Sequence, residues 1–378
     1  MGTITIGDSC EVLNGYAFKS EKYTSSGIRI IRIANVQKGY IEDDSPVFYQ
    51  TADVDLNKYM LRENDLLVSL TGNVGRTALL TKDMLPAALN QRVACLRLKT
   101  NKITRGFLFH LLNSDYFESK CIQSSQGVAQ KNLSTEWLKS YDLPLYSLSK
   151  QNEITKILDN VRNTIILKKQ EIQKYDELIK ARFIEMFGDL KSNEKDWNLK
   201  TFEEMSVLIT DGEHSTPKRT KEGIYLLSAR NVLNHSLQLK DVDYINRDEY
   251  LRIAKRVVPK KGDILISCSG TIGRCCSVPD SLQLQMVRSV ALIRFKEVIN
   301  PIFAEYMITS DYLQEQINSS KTMSSQANLF QGKIRKLKGF LPPTELQNQF
   351  ANFVQQVDKS RFDIKKSITE LEREVVYD

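Results

Sequence analysis

The sequence contains one unit of about 196 residues twice, and this internal repeat constrains the fold more than any other feature. The stretch DLLVSLTGNVGR at 65–76 recurs as DILISCSGTIGR at 263–274, with six of twelve positions identical. SGIRIIRIANV at 26–36 likewise matches EGIYLLSARNV at 222–232, 196 residues later. Because the period is long and only two copies occur, the repeat predicts two homologous domains in tandem and not a solenoid.

Each copy combines strand-like and helix-like segments in the same order. Short aliphatic runs, such as LLVSL at 66–70 and DILIS at 263–267, are set off by Gly, Asn and Asp and predict strands. A stretch with helical spacing of apolar residues follows in each copy, at 105–122 and 301–317. The sequence therefore predicts the α+β class, with two homologous domains.

The last part of each copy has the heptad pattern of a coiled coil. Apolar residues alternate at spacings of four and three, with Lys168 and Arg361 as interruptions. The predicted seam residues are Ile154, Leu158, Val161, Ile165, Ile172, Ile179, Phe350, Val354, Val357, Ile364, Ile368 and Leu371. The matching registers predict two long helices that pack antiparallel, and some 34 residues give a spacer of roughly 50 Å.

Connectivity then divides the chain into four segments. The prediction is a first domain at 1–147, a central spacer helix at 148–190, a second domain at 191–344 and a C-terminal spacer helix at 345–378. Each domain precedes its own helix, and the helices run in opposite directions. The expected arrangement is a pseudo-two-fold dumbbell, with two related domains at the ends of a two-helix bar.

Composition indicates a soluble chain with a mild preference for polyanions. Lys and Arg number 53 against 46 Asp and Glu, for a formal net charge of +7, which alone does not establish nucleic-acid binding. The six cysteines form no C-x-x-C pair and there are three histidines, so we expect no metal site and a cytoplasmic location. No apolar run approaches the ~20 residues that span a bilayer, and no signal peptide is predicted.

Each repeated glycine stretch predicts a β-hairpin followed by an arginine. Gly72 and Gly75, like their counterparts in the second copy, permit positive φ angles and the close approach of a partner. We expect Arg76 and Arg274 to be exposed at the hairpin tips, where they could bind phosphates or base edges. The alternative is that the hairpins need the glycines only for their own backbone conformation.

Polar and basic residues in and around the hairpins are candidates for contacts with DNA. In the first domain these are Asn35, Thr71, Gly72, Asn73, Arg76, Gln91 and Arg92. In the second domain they are His214, Lys218, Arg219, Arg230, Asn231, Ser269, Gly270, Thr271, Arg274 and Arg288. For any one of them, an ordinary solvated surface position is the alternative.

The sequence contains no recognisable catalytic motif. There is no G-x-x-x-x-G-K-[ST] loop, no G-x-G-x-x-G stretch, no H-E-x-x-H pair and no motif for amino methylation. No histidine-centred triad is evident either. We therefore expect a chain that binds a partner, carries no catalytic residues and needs no cofactor.

The ordered motifs resemble those of the specificity (S) subunit of type I restriction-modification enzymes. The resemblance rests on GYAFKSEKYTSSGIRIIRIANV, ENDLLVSLTGNVGR and GVAQKNLSTEWLKSYDLPLYSLSKQNEI in the first copy. In the second copy it rests on EGIYLLSARNV, GDILISCSGTIGR and LPPTELQNQF. Any one motif is loose, but the ordered set occurs twice and is followed each time by a helix, which makes it specific.

This resemblance implies a fold and a function. The family has two target-recognition domains separated by two antiparallel helices, reads a split sequence in double-stranded DNA and docks two methyltransferase (modification) subunits, which restriction subunits join. It places catalysis in those other subunits. Two alternatives stay open: a self-contained DNA methyltransferase or nuclease, and a two-headed coiled-coil scaffold that does not bind DNA. Because the two copies differ at most loop positions, we expect unequal half-sites.

Overall fold

The structure is a computed structural model, and it describes residues 2–50, 55–125, 131–280, 282–319 and 328–375. The chain forms two compact units, Met1–Lys169 with Ser367–Asp378, and Gln170–Lys366. Each unit combines several short sheets with helices, so the predicted α+β class with two homologous domains is confirmed. The predicted dumbbell concerns the placement of the two units and stays a prediction.

The first unit contains nine strands and four short helices before the first long helix, within the described residues. The strands are β1 (Gly2–Thr5), β2 (Cys10–Asn14), β3 (Ile28–Ile31), β4 (Phe48–Tyr49), β5 (Leu66–Ser69), β6 (Thr77–Leu79), β7 (Ala87–Leu89), β8 (Val93–Leu98) and β9 (Asp142–Leu145). The helices are α1 (Ile6–Ser9), α2 (Arg105–Leu112), α3 (Asp115–Ser124), α4 (Thr135–Ser140) and the long α5 (Leu148–Phe187). The sheets have the orders β2-β8-β5-β6, β4-β3-β7 and β1-β9.

The second unit repeats this plan. Its strands are β10 (Leu199–Thr201), β11 (Ser206–Asp211), β12 (Arg219–Thr220), β13 (Ile224–Leu227), β14 (Val232–Leu233), β15 (Ser236–Leu237), β16 (Asp243–Ile245), β17 (Ile264–Ser267), β18 (Cys275–Ser277), β19 (Leu284–Met286), β20 (Val290–Phe295) and β21 (Lys338–Phe340). Its helices are α6 (Phe202–Met205), α7 (Arg247–Ala254), α8 (Pro301–Thr309), α9 (Asp311–Ser319), α10 (Gln331–Lys336) and the long α11 (Thr344–Val375). The sheet β11-β20-β17-β18 corresponds to β2-β8-β5-β6, and β16-β13-β19 corresponds to β4-β3-β7.

One of the two central strands in each four-stranded sheet, β5 or β17, is buried on both faces. In β5, Leu66 and Val68 pack with residues of α2 and α3, whereas Leu67 packs with residues of β3 and β7. In β17, Ile264 faces the helices and Leu265 faces β13 and β19 in the same way. A strand buried on both faces needs apolar residues at every position, which explains the continuous runs in the sequence.

A buried glutamine anchors the start of each long helix. Gln151 accepts a hydrogen bond from the backbone N–H of Thr104 at 2.7 Å and donates to the carbonyl oxygen of Lys102 at 2.8 Å. Gln347 makes the same bonds with Asn300 at 2.9 Å and Val298 at 3.1 Å. The repeated glutamine thus connects each helix to the loop that precedes α2 or α8, and neither side chain leaves a buried amide unsatisfied.

The segments of α5 and α11 pack side by side within each unit. In the second unit the rings of Phe183 and Phe350 are 5.2 Å apart, and Arg361 forms an ion pair with Asp176 at 2.8 Å. Moving toward the N-terminus along α5 therefore means moving toward the C-terminus along α11, so the two segments are antiparallel. In the first unit, Lys169 pairs with Glu372 at 3.1 Å.

The seam residues face inward along these segments. Ile179, Phe350, Val354, Val357 and Ile368 are buried. The remaining seam residues, Ile154, Leu158, Val161, Ile165, Ile172, Ile364 and Leu371, are half-buried. Helix α5 ends at Phe187 because Gly188 adopts a φ of +79° and donates its N–H to the carbonyl oxygen of Ile184 at 2.7 Å, a helix stop that suits glycine.

Candidate nucleic-acid interface

The glycine loop between β5 and β6, residues 70–76, is organised around one serine. The backbone N–H of Arg76 donates to Ser69 Oγ at 3.0 Å, and the N–H of Gly75 donates to the Ser69 carbonyl oxygen at 2.9 Å. The loop at 268–274 makes the same two bonds to Ser267, at 3.0 and 2.9 Å. The serine that is identical in both copies therefore holds the loop closed.

The two glycines of each loop have different roles. Gly75 and Gly273 combine positive φ angles of 84° and 85° with close packing against a helix. A Cβ atom on Gly75 would lie 2.8 Å from Cβ of the buried Cys121, so no larger residue fits without a shift. Gly72 and Gly270 have φ angles of 70° and 71° but are exposed, and a Cβ atom on Gly270 would meet nothing within 4 Å. Only the first glycine of each loop is open to a partner.

A neighbouring segment braces each loop from one side. Gly72 donates its N–H to the carbonyl oxygen of Lys131 at 3.0 Å, and Leu133 donates to that of Leu70 at 2.8 Å. In the second unit, Leu329 donates to the carbonyl oxygen of Cys268 at 2.9 Å. Lys131, Leu133 and Leu329 thus support the loops. Lys131 is an exposed basic residue beside the first loop that the sequence analysis did not single out.

A second neighbouring segment flanks each loop with exposed side chains. The carbonyl oxygen of Arg92 accepts a hydrogen bond from the N–H of Leu70 at 2.9 Å, and that of Ser289 accepts one from Cys268 at 2.8 Å. Gln91 and Arg92 in the first unit, and Arg288 in the second, are exposed. The structure therefore brings these three predicted residues together with the glycine loops.

The two loop arginines are half-buried, which differs from the predicted exposure. Each follows the glycine that packs against a helix, so the start of the next strand, β6 or β18, lies close to that helix. Arg76 donates from Nη1 to the side-chain oxygen of Gln37. The guanidinium of Arg274 has no hydrogen bond or ion pair with any residue that the structure describes. The equivalent arginines of the two units are thus chemically different.

Asn35 and Asn231 are buried, and their side-chain amides are used within the fold. Asn35 accepts the N–H of Arg32 at 2.9 Å and donates to the carbonyl oxygen of Glu42 at 2.8 Å. Asn231 is fully buried, accepts the N–H of Ser228 at 2.9 Å and donates to two backbone carbonyl oxygens. A side chain held in this way shapes its turn, so both asparagines have a structural role here. Contact of these two side chains with DNA stays a prediction.

Two of the other basic candidates of the second unit, Arg219 and Arg230, share one carboxylate. Asp243 accepts from Nε of Arg219 at 2.9 Å and lies 3.3 Å from a guanidinium nitrogen of Arg230. Both arginines and Lys218 are exposed, and His214 is an exposed side chain whose Nε2 lies 3.6 Å from Asp211. These residues belong to the strands and turns around β12 and β16. Within the described residues, their side chains form no hydrogen bond or ion pair with the glycine loop.

The aspartate that opens each repeated stretch has a partner that the sequence analysis missed. Asp65 accepts from Arg97 at 2.9 and 2.6 Å and from the N–H of Arg62 at 2.8 Å. Asp263 makes the same contacts with Arg294 and Lys260. The aspartate is identical in both copies, which was the one sign in the sequence that it has a partner. The arginine that pairs with it lies about thirty residues later in each copy.

None of the helices in the described ranges has both the length and the apolar character to cross a membrane. Over the same residues, no group of three or more His, Cys, Asp or Glu side chains is placed to hold a metal ion.

Comparison with known proteins identifies similar sequences and folds. The model of the type I restriction modification DNA specificity domain matches residues 1–175 and 194–373. The type I restriction enzyme EcoBI specificity subunit of Escherichia coli is 24% identical over 395 residues, covering 97% of this chain and 81% of that protein. The EcoAI specificity subunit of Escherichia coli is 34% identical over 165 residues, covering 42% and 28%. The crystal structure of a type I restriction-modification S subunit from M. genitalium has a TM-score of 0.54 at 15% identity, covers 99% of this chain and 93% of that chain, and so shares the fold.

Proposed function

This chain belongs to the family of type I restriction-modification DNA specificity subunits, and from that premise we propose that it reads a bipartite, asymmetric target in double-stranded DNA. Each half of the target is read by one domain, at 1–147 and 191–344, and the helices at 148–190 and 345–378 set the distance between them. The observation that carries the proposal is the presence of the same braced glycine loop in both units.

The contacts that we assign to DNA are of two kinds. Exposed basic residues beside the loops, Arg92 in the first unit and Arg288 in the second, bind phosphates and position the duplex. The exposed loop residues themselves, Asn73 in the first unit and Thr271 in the second, approach the base edges. Gly72 and Gly270 support this approach because glycine leaves the backbone open to a partner, whereas the predicted Thr71 beside them is buried and Ser269 is half-buried.

Differences between the units support unequal half-sites. Asn73 is replaced by Thr271, and Gln91 aligns with Arg288. Arg76 is held by Gln37, whereas the Arg274 guanidinium has no partner among the described residues. Amide, hydroxyl and guanidinium groups present different donors and acceptors to a base pair, so the two units would favour different bases. In the second unit Arg219 and Arg230 add exposed basic groups around Asp243, and Lys218 is exposed directly before them in the chain.

The long helices are the proposed docking surface for two methyltransferase subunits, which restriction subunits then join. Large apolar side chains lie outside the seam of α5, including Ile157 at 55%, Leu167 at 64% and Leu178 at 46% exposure. Apolar groups exposed on a helix surface favour burial by a partner protein. Catalysis is assigned to those partners, so the chain is proposed to be a non-catalytic, cytoplasmic subunit that needs no cofactor of its own.

The experiment that tests this function is a domain exchange in the assembled complex. The chain is purified with the methyltransferase encoded beside it, and methylated adenines are mapped by sequencing. Replacing residues 191–344 by the matching domain of a relative should change one half of the target, while the other half and the spacing stay the same. A change in both halves together, or no methylation at defined sites by the unmodified complex, would contradict the proposal.

A further inference from the structure

A cavity of about 540 Å³ lies beside α9 and α10 of the second unit, and the candidate nucleic-acid interface does not include it. Side chains from three segments line it, among them Lys191, Tyr312, Glu315, Gln316, Lys333 and Lys336. This volume falls within the range of roughly 300–1,000 Å³ that small-molecule sites occupy. The cavity is therefore large enough for a small ligand and not only for water.

The cavity has an excess of positive charge. Glu315, the one carboxylate among the described lining residues, forms an ion pair with Lys191 and raises the pKa of that lysine, to which the nearby Asp189 and Asp311 also contribute. Lys333 and Lys336 are exposed on α10 and form no ion pair with any residue in the described ranges. They are three positions apart, so their ammonium groups lie on neighbouring positions of one helix, where like charges repel. A bound anion would relieve that repulsion.

The lining residues on α9 include polar groups. Gln316 donates from Nε2 to the carbonyl oxygen of Lys338 at 3.0 Å, and the N–H of Lys338 donates to Gln316 Oε1 at 2.9 Å. The phenol of Tyr312 is hydrogen-bonded with Gln316, and since burial raises its pKa it keeps an O–H that can donate a hydrogen bond. The cavity thus offers ammonium groups and a phenol, all of which are donors.

The first unit shows that the fold does not require this cavity. The positions equivalent to Lys333 and Leu337 hold Trp137 and Tyr141, whose rings lie 5.3 Å apart and pack against the core. The same helix pair is therefore stable when aromatic rings cover this region. The lysines are a property of the second unit and not a consequence of the shared architecture.

We propose that this cavity is a phosphate-binding site. Lysine ammonium groups are common ligands of phosphate as point charges, and a neutral phenol adds a directed hydrogen bond. The phosphate can belong to a free nucleotide or to the backbone of bound DNA, which present the same chemistry. The proposal is independent of which bases the chain reads, since the cavity contains none of the residues assigned to base contact.

The test compares two double variants of the full chain that lose the same charge. The cavity variant carries Lys333→Gln and Lys336→Gln, and the control carries Lys255→Gln and Lys359→Gln at exposed positions outside the cavity. Binding of pyrophosphate and of ATP is measured by calorimetry without DNA. Binding of a duplex of arbitrary sequence is measured separately as a function of salt concentration.

If free phosphates are the ligand, the cavity variant should bind pyrophosphate or ATP at least about tenfold more weakly than the control, the loss typical of one charge-assisted hydrogen bond. If DNA supplies the phosphate, the slope of log affinity against log salt should fall by about 0.9 in the cavity variant alone, since one phosphate contact contributes about 0.9. Identical behaviour of the two variants in both measurements would overturn the proposal.

A second variant distinguishes a loss of phosphate binding from a loss of folding. Lys333→Trp places in the second unit the residue that the first unit uses at the equivalent position, Trp137, and should reduce the cavity without unfolding the helix pair. It should show the same loss of binding as the double glutamine variant. Unchanged phosphate binding by a folded Lys333→Trp protein would also contradict the assignment.

Discussion

Asp263 accepts two hydrogen bonds from Arg294, at 2.7 and 2.6 Å, in an ion pair whose carboxylate is almost completely buried. The pair joins the start of β17 to β20, the two central strands of the four-stranded sheet. The first unit contains the same pair between Asp65 and Arg97. Each sheet therefore contains one charged connection directly before the strand that carries the glycine loop.

Asp263→Ala should destabilise the second unit by about 2 kcal/mol, because it removes the charge-assisted hydrogen bonds that the buried carboxylate accepts from the half-buried Arg294. Trp197 lies in that unit and Trp137 in the other, so in a Trp137→Phe background tryptophan fluorescence reports unfolding of the second unit. The control is Asp280→Ala, which removes the exposed pair with Lys261 and should cost less than ~1 kcal/mol. Equal effects of the two substitutions would contradict the prediction.

Arg274→Ala should weaken DNA binding and change the free energy of unfolding by no more than ~0.5 kcal/mol. The reason is that the guanidinium forms no hydrogen bond or ion pair with the described residues. Arg76→Ala should cost about 1 kcal/mol of stability in addition, since it removes the hydrogen bond to Gln37. Thermal unfolding and DNA titration of the assembled complex measure both quantities. Loss of stability without loss of affinity in the Arg274 variant would show that the loop is only structural.

Gly75→Ala should destabilise the first unit more than Gly72→Ala. Both substitutions place a side chain at positive φ, which costs about 1 kcal/mol, but only the first adds a collision with Cys121, worth a further ~1–3 kcal/mol. Unfolding is followed by Trp137 fluorescence in a Trp197→Phe background. Gly72→Ala should reduce DNA affinity while the chain stays folded. Similar stability of the two variants would argue against the distinct roles of the glycines.

Phe350→Ala should destabilise the second unit by at least about 3 kcal/mol, because the ring is fully buried against Phe183 and Phe187. Phe362→Ala on the same helix is the control, since that ring is 66% exposed and its loss should change stability by no more than ~0.5 kcal/mol. Chemical denaturation followed by Trp197 fluorescence in the Trp137→Phe background measures the difference. A destabilising Phe362→Ala would indicate packing that the structure does not contain.

The six cysteines should be unreactive in the native chain. All are free and buried, and burial raises the pKa of Cys10 to about 11 and the pKa of Cys121, Cys268 and Cys276 to about 12. Because the folded pKa values exceed the unfolded value of 9.0, the free energy of unfolding keeps its full value with respect to the thiols below pH 9. It falls as the pH rises from 9 toward 12. A thiol reagent at pH 8 should label the protein only in denaturant. Rapid labelling of native protein would contradict the burial.

The predicted hairpins show how far local sequence determines local structure. LLVSL and DILIS form strands, and all four loop glycines adopt the positive φ angles that the sequence predicted. These features depend on residues close together in the chain, so periodicity and residue type are sufficient to predict them. The heptad spacing predicted the long helices for the same reason.

The orientation of single side chains depended on contacts between distant parts of the chain. The sequence predicted Asn35 and Asn231 as candidates for contact with DNA. In the structure their side chains point into their own turns, because nearby backbone groups need hydrogen-bond partners. Arg76 and Arg274 are drawn partly inward because the glycine before each of them packs against a helix more than forty residues away along the chain.

The sequence by itself determined that two homologous α+β domains alternate with two long helices, because the repeat and the heptads are carried by regular spacing along the chain. Only the tertiary structure decided which polar residues are accessible and which stabilise the fold. It paired Asp65 with Arg97, divided the glycines into one packed and one open residue per loop, and placed Lys333 and Lys336 around a cavity where the first unit has aromatic rings. Burial and pairing depend on what lies opposite a side chain in space, and the spacing of residues along one chain does not specify that partner.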